Sequence, residues 1–222
     1  MPRVRAAVFD AYGTLLDVHA AVARHAPRLG DKAAPVSALW RAKQIEWSWI
    51  LSATGAYEPF WSLTGKALDH ALAVHGLADA PLRAALLEAY RELGAYPDAA
   101  PALAALRGRG LATAILSNGS PEMLDAAVTA AGLDPLLDAV LSVHPLRCFK
   151  PDARVYALAT ARFGCTPGEI AFISSNAWDA YAAGRFGFRV FWVNRAAGPV
   201  EYGLDQAATI LPDLTALKLA LE

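Results

Sequence analysis

The sequence predicts an α/β fold: a parallel sheet covered by helices on both faces, with a helical segment inserted after the first strand. Two observations carry this expectation. Short apolar runs end in polar loops and give way to helical patterns, and that unit recurs along the chain. The stretch 18–96 breaks the rhythm, with helical patterns and no strand run.

The elements follow in order. Residues 6–9 read as a buried strand that ends in the loop Asp10-Ala11-Tyr12-Gly13-Thr14. Helical patterns at 36–51, 60–75 and 81–90, punctuated by Gly55, Gly76 and Gly94, make up the insertion and are placed to roof the strand ends. A helix at 100–107 leads to a second strand, 112–116, and the loop Ser117-Asn118-Gly119-Ser120-Pro121. Pro121 after Ser120 suits an N-cap followed by proline at the first position of a helix over 121–131. A third strand is expected at 139–143 and a helix at 155–163. The fourth strand, 170–173, ends in Ser174-Ser175-Asn176 and precedes a helix at 177–186. A fifth strand at 189–193 runs into Asn194-Arg195. Gly108-Arg109-Gly110 lacks the rest of a dinucleotide fingerprint and precedes its strand, so it reads as a turn. In an open parallel sheet, ligands bind beyond the carboxyl ends of the strands. The polar loops at those ends are therefore the first place to look for chemistry.

Composition excludes several classes. The 222 residues carry a formal charge of −1, with 18% charged and 55% hydrophobic. An average soluble domain is about 25% charged, so this chain is drier than most. It has no electrostatic footprint for nucleic acid and too much apolar character for disorder. Asp10 interrupts the N-terminal apolar run, so no signal peptide is read, and no uncharged run is long enough to span a membrane. A soluble, cytoplasmic protein is expected. Cys148 and Cys165 are too few for a disulfide scaffold and have no metal-ligand spacing. None of the five histidines pairs with another at a metal or triad spacing. His19 is expected near the hinge of the insertion, and His144 precedes Lys150; neither is given a catalytic role.

Four strings now stand at the expected strand ends and in register. Asp10-Ala11-Tyr12-Gly13-Thr14-Leu15-Leu16-Asp17 resembles the first motif of the haloacid dehalogenase superfamily. Ser117-Asn118-Gly119-Ser120 resembles the second, Lys150-Pro151-Asp152 the third, and Ser174-Ser175-Asn176-Ala177-Trp178-Asp179 the fourth. The finer resemblance is to the (S)-2-haloacid (L-2-haloacid) dehalogenases. It rests on Tyr12, on Trp40-Arg41 with Lys43-Gln44, on the string from Ser174 to Asp179, and on Phe191-Trp192-Val193-Asn194-Arg195. The resemblance implies a Rossmann-like core formed by 1–17 and 97–222, and a helical cap domain formed by 18–96.

It also implies roles. Asp10 attacks the carbon that bears the halogen and expels halide; water then hydrolyses the ester on Asp10. Inversion occurs once at the substrate carbon, so an (S)-2-haloacid yields an (R)-2-hydroxy acid. Position 12 separates the branches: superfamily phosphatases carry a second aspartate there to protonate the leaving alcohol. Here it is Tyr12, and halide needs no proton. A phosphatase or phosphotransferase is the alternative that Tyr12 argues against; a fluoroacetate-active variant is left open, since pocket size is not legible and Ala42 departs from the family's commoner longer residue. Asp179 is the only acid of the fourth motif, a poor set for magnesium, and no metal or cofactor is expected. Lys150 supplies the cation instead, neutralising Asp10 and keeping Asp10 and Asp179 ionised together. Ser174, Asn176 and Asp179 form the expected water-positioning set, with Asp179 either the base for ester hydrolysis or an anchor for Lys150. Thr14 is expected to bond the Asp10 region. Tyr156 either reaches the site from the helix after Lys150 or is a core tyrosine. For the substrate carboxylate the donors are backbone N–H groups after Asp10, from Ala11 onward, and around Ser117-Asn118, with the Ser117 hydroxyl. Arg41 and Asn118 are the expected halide donors, and Tyr12, Ile45, Phe60 and Trp178 the apolar wall. The apolar cap helices suggest a homodimer.

Overall fold

The computed structural model describes residues 2–77 and 79–220. Its centre is a six-stranded sheet in the order β3-β2-β1-β4-β5-β6, where β1 is Ala6–Phe9, β2 Ala112–Ser117, β3 Ala139–Ser142, β4 Ile170–Ser174, β5 Arg189–Val193 and β6 Thr209–Leu211. Every neighbouring pair is parallel. The five expected strands are present, and β3 stops one residue short of the expected end. The sixth went unread because only three residues pair and two of them, Thr209 and Ile210, are exposed, which leaves no apolar run to see.

Eleven helices complete the described chain. In order they are α1 (Ala20–Ala23), α2 (Ala26–Leu29), α3 (Ala33–Thr54), α4 (Phe60–Val74), α5 (Ala80–Arg91), α6 (Ala99–Gly108), α7 (Pro121–Ala130), α8 (Ala153–Phe163), α9 (Ala177–Phe186), α10 (Leu204–Ala207) and α11 (Leu217–Ala220). Asp79 caps α5 by accepting from the Leu82 N–H at 2.9 Å. Ser120 stands at the N-cap of α7 with Pro121 in the first turn, as expected, but its side chain makes no capping hydrogen bond. The fold there is directed by the extended backbone of Ser120 and the fixed φ of proline.

Strand β1 is fully buried at the middle of the sheet. Its four residues are all apolar, as a strand covered on both faces requires. Phe9 pairs with Ile115 on one side and Ile173 on the other. Asp10 follows directly, and its N–H still donates to the Ile173 carbonyl at 2.9 Å. The carboxyl end of the central strand thus delivers Asp10 between the ends of β2 and β4.

The helical insertion leaves and re-enters the sheet at one place. Asp17 N–H donates to the Gly94 carbonyl at 3.1 Å, and Tyr96 N–H donates to the Leu15 carbonyl at 2.8 Å. Between those points α3 packs on α4. Two buried bonds pin this pair: Trp40 Nε1 donates to the Thr64 carbonyl at 2.9 Å, and Gln44 Nε2 to Thr64 Oγ1 at 2.9 Å. His19, at the exit, contacts Ser37 Oγ of α3 through Nδ1 at 2.7 Å. Among the described residues, no helix is long and apolar enough to cross a membrane. Both cysteines are buried and free.

Candidate active site

The loop after β1 turns back on itself. Gly13 sits at φ 94°, a region open to glycine and strained for other residues. The Ala11 carbonyl accepts from the N–H groups of Thr14, Leu15 and Leu16, so Ala11 closes the turn. That turn brings the Thr14 hydroxyl back to Asp10, where it donates to Oδ2 at 3.1 Å. Asn176 Nδ2, from the loop after β4, donates to the same oxygen at 2.8 Å. Lys150 Nζ donates to the other oxygen, Oδ1, at 3.0 Å.

Lys150 also donates to Asp179 Oδ2 at 2.8 Å. Its side chain is 1% exposed, and that of Asp179 is 0%. Ser174 Oγ donates to Asp179 Oδ2 at 3.1 Å, and the Tyr156 hydroxyl to Oδ1 at 2.7 Å. Tyr156 of α8 therefore reaches the site rather than serving only as a core tyrosine. Both Asp179 oxygens are engaged.

Burial and charge work against each other here. Burial penalises the Lys150 ammonium, but Asp10 and Asp179 outweigh that penalty and hold its pKa above the ordinary lysine range. Burial pushes the Asp179 carboxyl above the usual carboxylate range, and the pull of Lys150 only partly offsets it. Burial, then the neighbouring Asp179, raises the Tyr156 phenol well above its usual value. It therefore stays protonated and donating at neutral pH. The Tyr156 bond favours ionised Asp179. Tyr156→Phe is therefore expected to raise the Asp179 pKa further. If activity needs the ionised Asp179–Lys150 pair, its acid limb shifts to higher pH in the variant, which a pH profile of turnover would read. An unmoved limb would show that Tyr156 does not act through Asp179.

Arg41 enters from α3. Its Nη2 donates to the Tyr12 carbonyl at 3.0 Å and to Asn176 Oδ1 at 3.3 Å. Asn176 thereby touches the Asp10 carboxylate with one end of its amide and the inserted helix with the other. Ser117 Oγ accepts from the Gly119 N–H at 3.1 Å, leaving its own proton to donate. Asn118 Oδ1 accepts from the Lys150 N–H at 2.9 Å, which fixes the orientation of the amide. Ser117 and Asn118, expected as donors to the substrate carboxylate, stand short of the N-terminus of α7. They end β2 and begin a loop, and α7 starts only at Pro121, because proline needs an extended residue before it.

The aromatic side chains of the expected apolar wall take part in separate ring contacts. Tyr12 stacks on Tyr90 of α5, centroids 5.6 Å apart and planes at 12°, and Trp40 tilts onto Tyr90 at 5.0 Å. Phe60 packs edge-on against Phe149 at 5.7 Å. Trp178 meets Trp49 edge-on at 5.4 Å and lines an outer groove with Pro151, Tyr181 and Tyr202. Among the described residues no ring contact joins Phe60 or Trp178 to Tyr12. Ile45 is half-buried on α3. Gly119 allows the close approach of Tyr12, since a Cβ there would lie 3.1 Å from Tyr12 Cε2 and 3.0 Å from Leu124.

Three further residues were given no role from the sequence. Tyr90 looks like any aromatic on an amphipathic helix. Arg195 holds Asp98 through two nitrogens, at 2.8 and 3.0 Å, and donates to the Thr14 carbonyl at 3.0 Å, bracing the nucleophile turn. Its signal is its place two residues after β5, in the loop Asn194-Arg195. Ser52 Oγ of α3 accepts from the Phe149 N–H at 2.7 Å, tying the insertion to the loop that carries Lys150.

A parallel sheet presenting a carboxylate held by lysine, threonine and asparagine defines a class, and comparison with known proteins agrees. The family model of haloacid dehalogenase-like hydrolases matches residues 4–187. The chain is 50% identical over 200 residues to (S)-2-haloacid dehalogenase 4A of Burkholderia cepacia, covering 90% of this chain and 87% of that one. It matches a solved dehalogenase structure with a TM-score of 0.96 at 46% identity, over 99% of this chain and 98% of that one. It also matches the L-2-haloacid dehalogenase of Xanthobacter autotrophicus with chloropropionic acid covalently bound, with a TM-score of 0.88 at 37% identity over 98% of each chain. The chain belongs to the haloacid dehalogenase-like hydrolases and, within them, to the (S)-2-haloacid dehalogenase family.

Proposed function

We propose that this protein hydrolyses short (S)-2-haloalkanoic acids to (R)-2-hydroxy acids through an ester on Asp10, without a metal. The observation that carries this reading is the bonding of the Asp10 carboxylate. Oδ2 accepts two hydrogen bonds, from Thr14 and Asn176, whereas Oδ1 accepts one, from Lys150. Oδ1 retains the freer lone pair and makes the attack. A carboxylate needs no base to become a nucleophile. Its bond to carbon forms as the carbon–halogen bond breaks, and the electron pair leaves with the halide. Position 12 offers no carboxyl to protonate an alcohol, which fits a leaving group that departs as an anion.

Lys150 Nζ, bonded to both carboxylates, supplies the positive charge that the reaction needs beside Asp10. Asp179 is fully engaged by Lys150, Ser174 and Tyr156, which favours the role of anchor for Lys150 over that of base. Arg41 and Asn118 serve the halide, and the Ser117 hydroxyl with nearby backbone N–H groups the substrate carboxylate. The paired crossing at Leu15–Asp17 and Gly94–Tyr96 supports 18–96 as a cap domain over a core of 1–17 and 97–222. Exposed Trp49 and Ile50 on α3 and Val74 on α4 suit a homodimer formed through the cap.

The test is halide release from (S)- and (R)-2-chloropropanoate and fluoroacetate, and phosphate release from p-nitrophenyl phosphate, each with and without EDTA. The expected result is halide from the (S)-acid alone of the chloro pair, unaffected by EDTA, with product of inverted configuration. Magnesium-dependent phosphate release without halide would overturn the reading.

A further inference from the structure

The Tyr90 hydroxyl oxygen is buried to the point of having almost no solvent contact, yet it has no hydrogen-bond partner. Buried polar groups are almost always bonded, and an exception calls for an explanation, a catalytic role or a bound ion among them. Its surroundings say what kind. The ring stacks on Tyr12, one face of the Asp10 loop, and is wedged by Trp40, so the hydroxyl has little freedom to turn elsewhere. Arg41 and Gln44 lie beside it, close enough to favour its ionised form, but neither meets hydrogen-bond geometry with it. The Arg41 guanidinium can only donate, so it cannot take the phenolic proton. Gln44 donates through its amide nitrogen to Thr64, and its amide oxygen, which could accept, makes no hydrogen bond with the phenol. What remains is an O–H donor beside a cationic donor, in an aromatic enclosure on the cap side of Asp10. That pairing suits a small anion.

We propose that the Tyr90 hydroxyl donates a hydrogen bond to the departing halide, as a further donor from the inserted helices beside Arg41 and Asn118. This rests on the dehalogenase reading above. The halogen must leave on the side of the carbon away from Asp10, since attack and departure lie in line. Thr14, Asn176 and Lys150 all bond the Asp10 carboxylate itself, and Arg41 and Tyr90 come from the cap. As the carbon–halogen bond breaks, the halogen gains the electron pair and becomes an acceptor. The phenol keeps its proton throughout. Burial, its largest influence, raises its pKa, so it is a donor across the working range.

Tyr90→Phe keeps the ring and its stack on Tyr12 and removes only the donor. Single-turnover halide release, with enzyme in excess, isolates the first step from ester hydrolysis. Loss of one hydrogen bond to an anion is expected to slow chloride release roughly 10–100-fold. The loss should be smaller for 2-bromopropanoate and smallest for 2-iodopropanoate, because larger halides are weaker acceptors. The inhibition constants for free chloride and bromide should rise in the same variant. A merely structural tyrosine would slow all three leaving groups equally and leave halide inhibition unchanged; either finding would overturn the proposal. Wild-type protein that released no halide would overturn the function as well, whereas active wild type with a leaving-group-independent variant would overturn only the Tyr90 assignment.

Discussion

Lys150→Met is expected to destabilise the protein by about 3–5 kcal/mol at neutral pH, the range for removing one partner of a buried charge pair, and to abolish halide release. Methionine fills much of the lysine volume, so the loss is electrostatic rather than a cavity. Lys150 is 1% exposed and bonded to both Asp10 and Asp179. Without it, two carboxylates share a dry site, and the Asp179 pKa, already raised by burial with lysine present, rises further. The sign of the pH dependence follows. A carboxyl whose folded pKa lies above its unfolded value favours folding while protonated; that contribution is lost as pH rises through the folded value. The variant should thus recover stability on acidification below neutrality, while the native pair keeps its bonded lysine. Urea unfolding midpoints at a series of pH values would show this. A variant with unchanged midpoint at neutral pH would mean that the pair contributes nothing net.

Asp10→Asn should lose activity by on the order of 10⁴-fold or more, since removal of a nucleophile leaves only binding and positioning. The fold should survive, because asparagine keeps the shape of the side chain at the end of β1. The amide sits poorly, however: every neighbour of the Asp10 carboxylate is a donor, so the new NH2 group faces another donor. The wild type offers the complementary measurement. In heavy-oxygen water, a single turnover should place label in the Asp10 carboxylate, because water attacks the ester carbonyl and not the substrate carbon. Label found in the product with none in the protein would rule out the ester. Freshly purified variant is the proper sample, since slow amide hydrolysis restores the aspartate.

What was legible in the sequence depended on how locally each feature is encoded. Strands β1, β2, β4 and β5 are short apolar runs closed by polar loops, and burial on both faces makes them continuous. Asp10, Ser117, Asn118, Ser174 and Asn176 are readable as candidates because they directly follow those runs. Lys150 and Arg41 are not: each is one cation among 20 lysines and arginines, and only the motif resemblance singled them out. Residue by residue, the wall of the pocket was harder still. Tyr90 lies on α5 at a helical spacing that any core tyrosine would share, and its stack on Tyr12 spans 78 positions along the chain. Phe60 and Trp178 were expected in one wall with Tyr12, but their ring contacts are with Phe149 and Trp49. Side-chain partners of that kind are set by how the cap seats on the sheet, which no local pattern records.

The order in which the chain is made bears on the charge cluster. Asp10 leaves the ribosome 140 residues before Lys150 and 166 before Asn176. Strand β1, at the middle of the sheet, then waits for partners on both sides: β2 arrives after the whole cap, and β4 later still. Contacts so distant in sequence form slowly, since loop closure must precede them. The cap is different, with α3 and α4 adjacent in sequence and pinned to each other. During synthesis the roof can take shape early, while the nucleophile stays in water without its lysine. Asp10 gains Lys150 and Asn176 as partners only when the last third of the polypeptide has been made.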